Sequence, residues 1–197
     1  MKKNLGLFVL LMTSLLLLLS PTAFAMNLAG LGLLTYPNGG SMGDPVFQTS
    51  GLKASYGSGL SLEYSIAKRW GLEIGIFSAE RGMIYSDSTV QDQQVSFRTV
   101  TLPLLIRSTA LKYFGFGFGA YYSRALGSAP LMNQVGSLKQ DDAGVVVSAR
   151  LKAPLLEPFS IVGDIRYLYG LTNLSPLSSA QIFVRDVQLL LGLDLKI

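Results

Sequence analysis

The sequence predicts an all-β fold: an eight-stranded antiparallel up-and-down transmembrane β-barrel, preceded by a cleavable signal peptide. Three observations point there. An apolar leader opens the chain, period-two alternation runs through most of the remaining residues, and short and long links between the alternating segments take turns. Of 197 residues, 49% are hydrophobic and 14% charged, against roughly 25% charged in an ordinary soluble domain. No stretch after the leader approaches the ~18 consecutive apolar residues of a membrane helix. A chain of this kind set in lipid has to close its strands into a barrel, because lipid offers no partner to an open sheet edge.

The leader has three parts. Lys2 and Lys3 are basic, residues 5–19 are almost wholly apolar, and Ser20 and Pro21 break any helix just before small residues at Ala23 and Ala25. That layout divides the chain into a signal peptide over 1–25, cleaved after Ala25, and a barrel domain over 26–197. No Cys follows the apolar run, which excludes a lipoprotein anchor.

The strands come in order along the chain. A weak first strand is expected over 28–36, where Leu31 and Leu33 are the clear apolar pair. Leu60, Leu62, Tyr64 and Ile66 then alternate with Ser61, Glu63 and Ser65, and Trp70, Leu72, Ile74 and Ile76 with Glu73, Gly75, Phe77, Ala79 and Arg81. Val100, Leu102, Leu104 and Ile106 oppose Thr99, Thr101, Pro103, Leu105 and Arg107. Phe114, Phe116, Phe118 and Tyr122 alternate with Gly115, Gly117, Gly119 and Ser123. Val145, Val147, Ala149 and Leu151 alternate with Ser148, Arg150 and Lys152. The last two segments set Phe159, Ile161, Ile165, Tyr167 and Tyr169 against Asp164, Arg166 and Gly170, and Val187 through Ile197 in steps of two against Gln188, Leu190, Gly192, Asp194 and Lys196.

Short links are expected at 67–69, 109–112 and 153–158, and long ones at 37–50, 86–94, 127–142 and 173–181. A meander with that rhythm gathers its short turns at one end and its loops at the other, as outer-membrane barrels do. The apolar faces carry almost no charge over their middles, where a Lys or Arg facing lipid costs ~2–4 kcal/mol. Trp70, Phe114 and Phe159 stand by the short turns, and Tyr122, Tyr169 and Phe183 by the loops, as membrane-interface aromatics do. Both features turn the aliphatic face outward to lipid.

From Gly51 to Ile197 the chain resembles the PorT-like family of bacterial outer-membrane β-barrel proteins. The resemblance is carried by Ser78-Ala79-Glu80-Arg81-Gly82, Thr101-Leu102-Pro103-Leu104-Leu105-Ile106, Phe118-Gly119-Ala120-Tyr121 and Asp164-Ile165-Arg166-Tyr167-Leu168-Tyr169-Gly170-Leu171-Thr172-Asn173. It implies an eight-stranded barrel in the outer membrane. The C-terminus is similar to a barrel-assembly signal, with Gly192, Leu195 and Ile197, but ends on Ile where an aromatic residue is usual.

The chain has no Cys and no His, which removes disulfides, Cys or His metal ligands, thiol nucleophiles and any imidazole-dependent catalysis. A net charge of +4 is too small to suggest nucleic acid. The charges assigned to the lumen are Glu63, Glu73, Arg81, Arg107, Arg150, Lys152, Asp164, Arg166, Asp186, Asp194 and Lys196. Acids and bases together in a bore barely wide enough for side chains are expected to form a structural plug of paired charges. A catalytic carboxylate pair from Glu63 and Glu73 lacks anything to raise one of them as an acid. The glycine row at 115, 117 and 119 precedes no helix, so it makes no phosphate loop and is expected to give room to opposing Arg or Tyr side chains. Asp141-Asp142 and Pro130-Leu131-Met132 are loop features without a clear ligand.

The expected role is non-enzymatic and needs no cofactor: a barrel serving structure or interaction through its loops or an envelope or secretion assembly. Its expected partners are outer-membrane lipids, the barrel-assembly machinery and other envelope proteins. The alternatives are a narrow channel for a small solute, and a soluble, periplasmic, lipocalin-like binding barrel.

Overall fold

The computed structural model describes residues 24–40, 48–49, 53–67, 69–87, 90–108, 113–127, 139–175 and 181–196, with side chains over 55–67, 69–81, 96–108, 113–127, 139–175 and 183–195. The strands are β1 (Phe24–Gly40), β2 (Gln48–Thr49), β3 (Lys53–Ala67), β4 (Trp70–Asp87), β5 (Val90–Ser108), β6 (Phe114–Leu126), β7 (Asp141–Leu156), β8 (Phe159–Gly170) and β9 (Gln181–Lys196). All pairings are antiparallel. β1 pairs with both β3 and β9, and β4 with β5, so the eight long strands close into a ring, while β2 is a two-residue rung against Tyr85 and Ser86.

The register fixes the shape of the ring. The chain of cross-strand partners from Ala25 runs through Glu63, Glu73, Leu105, Gly119, Val146, Leu168 and Asp186, and returns to β1 at Thr35, ten residues further on. Eight strands with that stagger tilt by about 40° and enclose a cylinder of about 8 Å radius to the backbone. Each step to the next strand along the hydrogen bonds climbs about 3 Å toward the end where the loops gather.

The aliphatic side chains face outward, as the alternation predicts. Leu60, Leu72, Ile74, Leu104, Phe118, Val147, Ile165 and Leu191 are all exposed, while their neighbours in sequence are largely buried in the bore. With Trp70 at the turn end and Tyr122 and Tyr169 toward the loop end, this outer belt is about 25 Å tall, the height of the apolar band of an outer-membrane barrel.

Three strand boundaries differ from expectation. The first strand is longer than 28–36, because β1 is fixed by ladders on both sides and does not depend on its own weak pattern. It starts at Phe24, so cleavage after Ala25 would remove its first two residues. The expected loop at 86–94 is instead a hairpin, in which β4 and β5 stay paired up to Asp87 and Val90. Beyond the belt a strand needs no apolar face, so its residues read as loop. Likewise β7 continues to Leu156, leaving Glu157 and Pro158, joined by a cis peptide, as the turn.

Candidate functional site

The bore is filled in three storeys. At the turn end, Lys152 Nζ on β7 donates to Asp194 on β9, closing the bottom with one ion pair.

Just above lies a lattice of six charges. Glu73 on β4 and Asp164 on β8 project from opposite walls, and both are buried. Arg107 Nε donates to Glu73, and its Nη2 lies 2.5 Å from Asp164 Oδ2. Arg150 Nη2 reaches Glu73 Oε2 at 2.6 Å and Asp164 Oδ2 at 3.3 Å, while its Nη1 holds Glu63 Oε2 at 2.7 Å. Arg166 Nη2 reaches Glu73 Oε1 at 2.6 Å and Asp164 Oδ2 at 2.9 Å. Ser148 ties the group to the wall, accepting from Arg107 Nη1 at 2.7 Å and donating to Asp164 Oδ1 at 2.8 Å. Three carboxylates thus meet three guanidinium groups, so the cluster balances without an outside ion. Charge-assisted forked bonds of this kind compensate the desolvation that would make any one of these ions prohibitive alone.

Apolar groups seal the middle. Leu105, Tyr121, Val146 and Leu168 pack into one cluster, and Phe77, Ala79 and Leu190 into another. The Arg166 guanidinium lies 4.9 Å from the centre of the Phe77 ring, which joins this storey to the charges below. The ring fits because Gly59 and Gly75 stand beside it: a Cβ at Gly59 would come within 2.3 Å of Phe77 Cδ1, and one at Gly75 within 2.6 Å of Phe77 Cε2. Gly117 of the glycine row likewise leaves room for Arg107, since its Cβ would lie 3.2 Å from Arg107 Nη1. The gap bounded by Phe77, Arg150, Asp164, Arg166 and Leu190 admits no water-sized sphere.

At the loop end, Arg81 pairs with Asp186 and lies 3.5 Å from Asp142 Oδ2, which also accepts from the Tyr121 hydroxyl at 2.9 Å. Arg81 Nη1 donates to Ser123 Oγ at 3.1 Å, and Thr101 and Ser123 share a 2.9 Å hydrogen bond.

Comparison with known proteins adds the fold to this interior. No family model and no curated protein matches the chain. Among solved structures, the outer membrane protein OprG from Pseudomonas aeruginosa superposes with a TM-score of 0.65 at 15% identity, over 89% of this chain and 96% of that one. Neisserial surface protein A gives 0.55 at 14% identity, over 88% and 97%. AlkL, an outer membrane protein solved in DMPC lipid bilayers, gives 0.50 at 14%, over 88% and 90%. At these identities the likeness is one of fold: this chain has the up-and-down barrel fold of those outer-membrane proteins.

Of the residues singled out from sequence, Glu63, Glu73, Arg107, Arg150, Asp164 and Arg166 meet in one lattice, Arg81 and Asp186 pair above it, and Lys152 and Asp194 below. Lys152 is the most open of the described lumen charges, with 40% of its side chain exposed. The Lys196 side chain, Ala23 and Ile197 lie outside the described residues, while Ala25, Gly192 and Leu195 sit in paired positions of β1 and β9. Glu63 and Glu73 are cross-strand partners, and Arg150 binds both. Asp141 and Asp142 point to opposite faces, Asp141 outward to Tyr122 and Asp142 into the bore, so they do not share a cation.

The reading of the lumen as purely polar needs correcting. Phe77, Leu105, Val146, Leu168 and Leu190 form an apolar storey between the two charged ones. Three of them lay on the polar face in the sequence pattern; what the pattern could not show is that they gather into two clusters across the bore.

Proposed function

We propose that the chain is an integral outer-membrane barrel of the PorT-like kind, exported by its leader, whose sealed bore gives it a structural or interaction role and no enzymatic one. The observation that carries this is the polarity of the wall: a lipid-compatible belt outside and, inside, buried charges paired across the bore, three carboxylates against three guanidinium groups in the lattice. A soluble lipocalin-like barrel needs the reverse, an apolar cavity inside a hydrated exterior. A conduit needs a continuous gap, and among the described residues the gap beside Phe77, Asp164 and Arg166 admits no water-sized sphere. Contact with envelope partners is then left to the loop end and the projecting β4–β5 hairpin. Fractionation of expressing cells tests the reading: the chain should enter the outer-membrane fraction and run with heat-modifiable mobility on gels. Recovery as a soluble periplasmic protein would overturn it.

A further inference from the structure

The outer belt ends, toward the loops, in arginines. Arg98 on β5, Arg124 on β6 and Arg185 on β9 all face outward. Once the tilt and the rise of about 3 Å per strand are allowed for, the three stand at nearly the same height, just past Tyr122 and Tyr169. Below them the wall is aliphatic; at their own height Glu80 and Asp141 also face out.

Their partners are incomplete. The Arg185 guanidinium carbon stands over its cross-strand partner Tyr169, 3.4 Å from the ring centre, and its Nη1 donates to the carbonyls of Gly170 at 2.7 Å and Val184 at 2.9 Å. Among the described residues no carboxylate pairs with it. Arg98 faces Glu80 across the ladder. Arg124 has only a loose contact with Asp141, at 3.8 Å with both side chains more than half exposed, and Asp141 already accepts from the Tyr122 hydroxyl. Cations held at the border of a hydrocarbon belt call for anions at that same depth, and in a bilayer those are headgroup phosphates. Guanidinium is the side chain best shaped to take a phosphate by a forked bond.

We propose that Arg98, Arg124 and Arg185 form a ring of anchors for lipid headgroup phosphates in the leaflet at the loop end of the barrel. The ring rests on the membrane reading above and adds a ligand class to it. Arg185 is the best prepared member, because Tyr169 and two carbonyls fix its plane before any lipid arrives. Arg98 and Arg124, diagonal neighbours on adjacent strands, repel one another until an anion lies between them.

The full chain, refolded into nanodiscs mixing phosphatidylglycerol with a neutral glycolipid of the same acyl chains, tests this by native mass spectrometry of retained lipid. The wild type is expected to retain phosphatidylglycerol preferentially, and R98Q/R124Q/R185Q to lose that preference by roughly fivefold per arginine. Heat-modifiable mobility checks folding; if the triple variant does not fold, R98Q and R185Q singly are each expected to lose about fivefold. Equal retention of both lipids by the wild type, or an unchanged preference in the folded variants, overturns the ring. Displacement of lipid by millimolar inorganic phosphate overturns the lipid assignment, since the site would then take free anions. A chain that never enters the nanodisc fails the membrane reading; one that inserts and shows no headgroup preference fails this inference alone.

Discussion

Glu73 and Asp164, rooted in opposite walls of the barrel, share the same three guanidinium groups, those of Arg107, Arg150 and Arg166. The two carboxylates are therefore coupled through every arginine of the lattice. Removing either one takes a partner from all three buried cations at once and leaves the lattice with one uncompensated positive charge.

Glu73→Gln is accordingly expected to destabilise the barrel by about 3–5 kcal/mol, the usual cost of leaving buried charge uncompensated. Asp164→Asn should cost a similar amount, and the double variant clearly less or more than the sum of the two, since the sites share partners. Urea unfolding of the refolded barrel in lipid vesicles measures all three. Additive losses would mean that the carboxylates act independently.

The outer belt makes a different claim, about the solvent. Leu191→Arg and Leu104→Arg place a cation near mid-belt and should each cost about 2–4 kcal/mol in vesicles. The same Arg at Ile66, exposed near the turn-end edge, should cost about 0–1 kcal/mol. A flat profile across the three positions, read by the same unfolding titration, would show that lipid does not surround this face.

The Phe77 ring depends on two absent side chains. Gly75→Val is expected to cost about 1–3 kcal/mol through overpacking, because its Cβ would come within 2.6 Å of Phe77 Cε2, its other near neighbours standing at 3.3 Å. Phe77→Ala should relieve that penalty in the double variant, giving a coupling that a thermodynamic cycle measures. Lack of rescue would place the ring elsewhere.

A packed bore should carry no current. In planar bilayers the refolded wild type is expected to show no conductance steps, whereas F77A/R166A, which removes the tallest filling of the bore and one guanidinium, should show them. Steady wild-type conductance would revive the channel alternative.

Much of this architecture was legible in the sequence. Residues 187–195 alternate so cleanly that strand, face and belt can be read from them alone, and charges such as Arg150 and Asp164 fall on the opposite face by parity. What parity does not supply is height. Glu73 and Asp164 are 91 positions apart, and whether they meet depends on the ten-residue stagger accumulated around the ring, which no local pattern records. The same limit hid the apolar storey: Leu105 and Leu190 fall on the polar face, and only the closed cylinder brings Leu190 to Phe77 and Leu105 to Val146 and Leu168. The 86–94 segment failed for another reason, since a paired hairpin beyond the belt has no greasy side to announce it.

The stagger carries a consequence for assembly. A strand that slips by two residues keeps its correct face and most of its ladder bonds, so neither the belt nor the backbone would register the error. It would, however, displace that strand's charges by about 7 Å along its axis, enough to part Asp164 from the arginines or Glu73 from all of its partners. The ionic lattice thus works as a checksum on the strands that carry it, β3, β4, β5, β7 and β8, satisfied only when these five are in step.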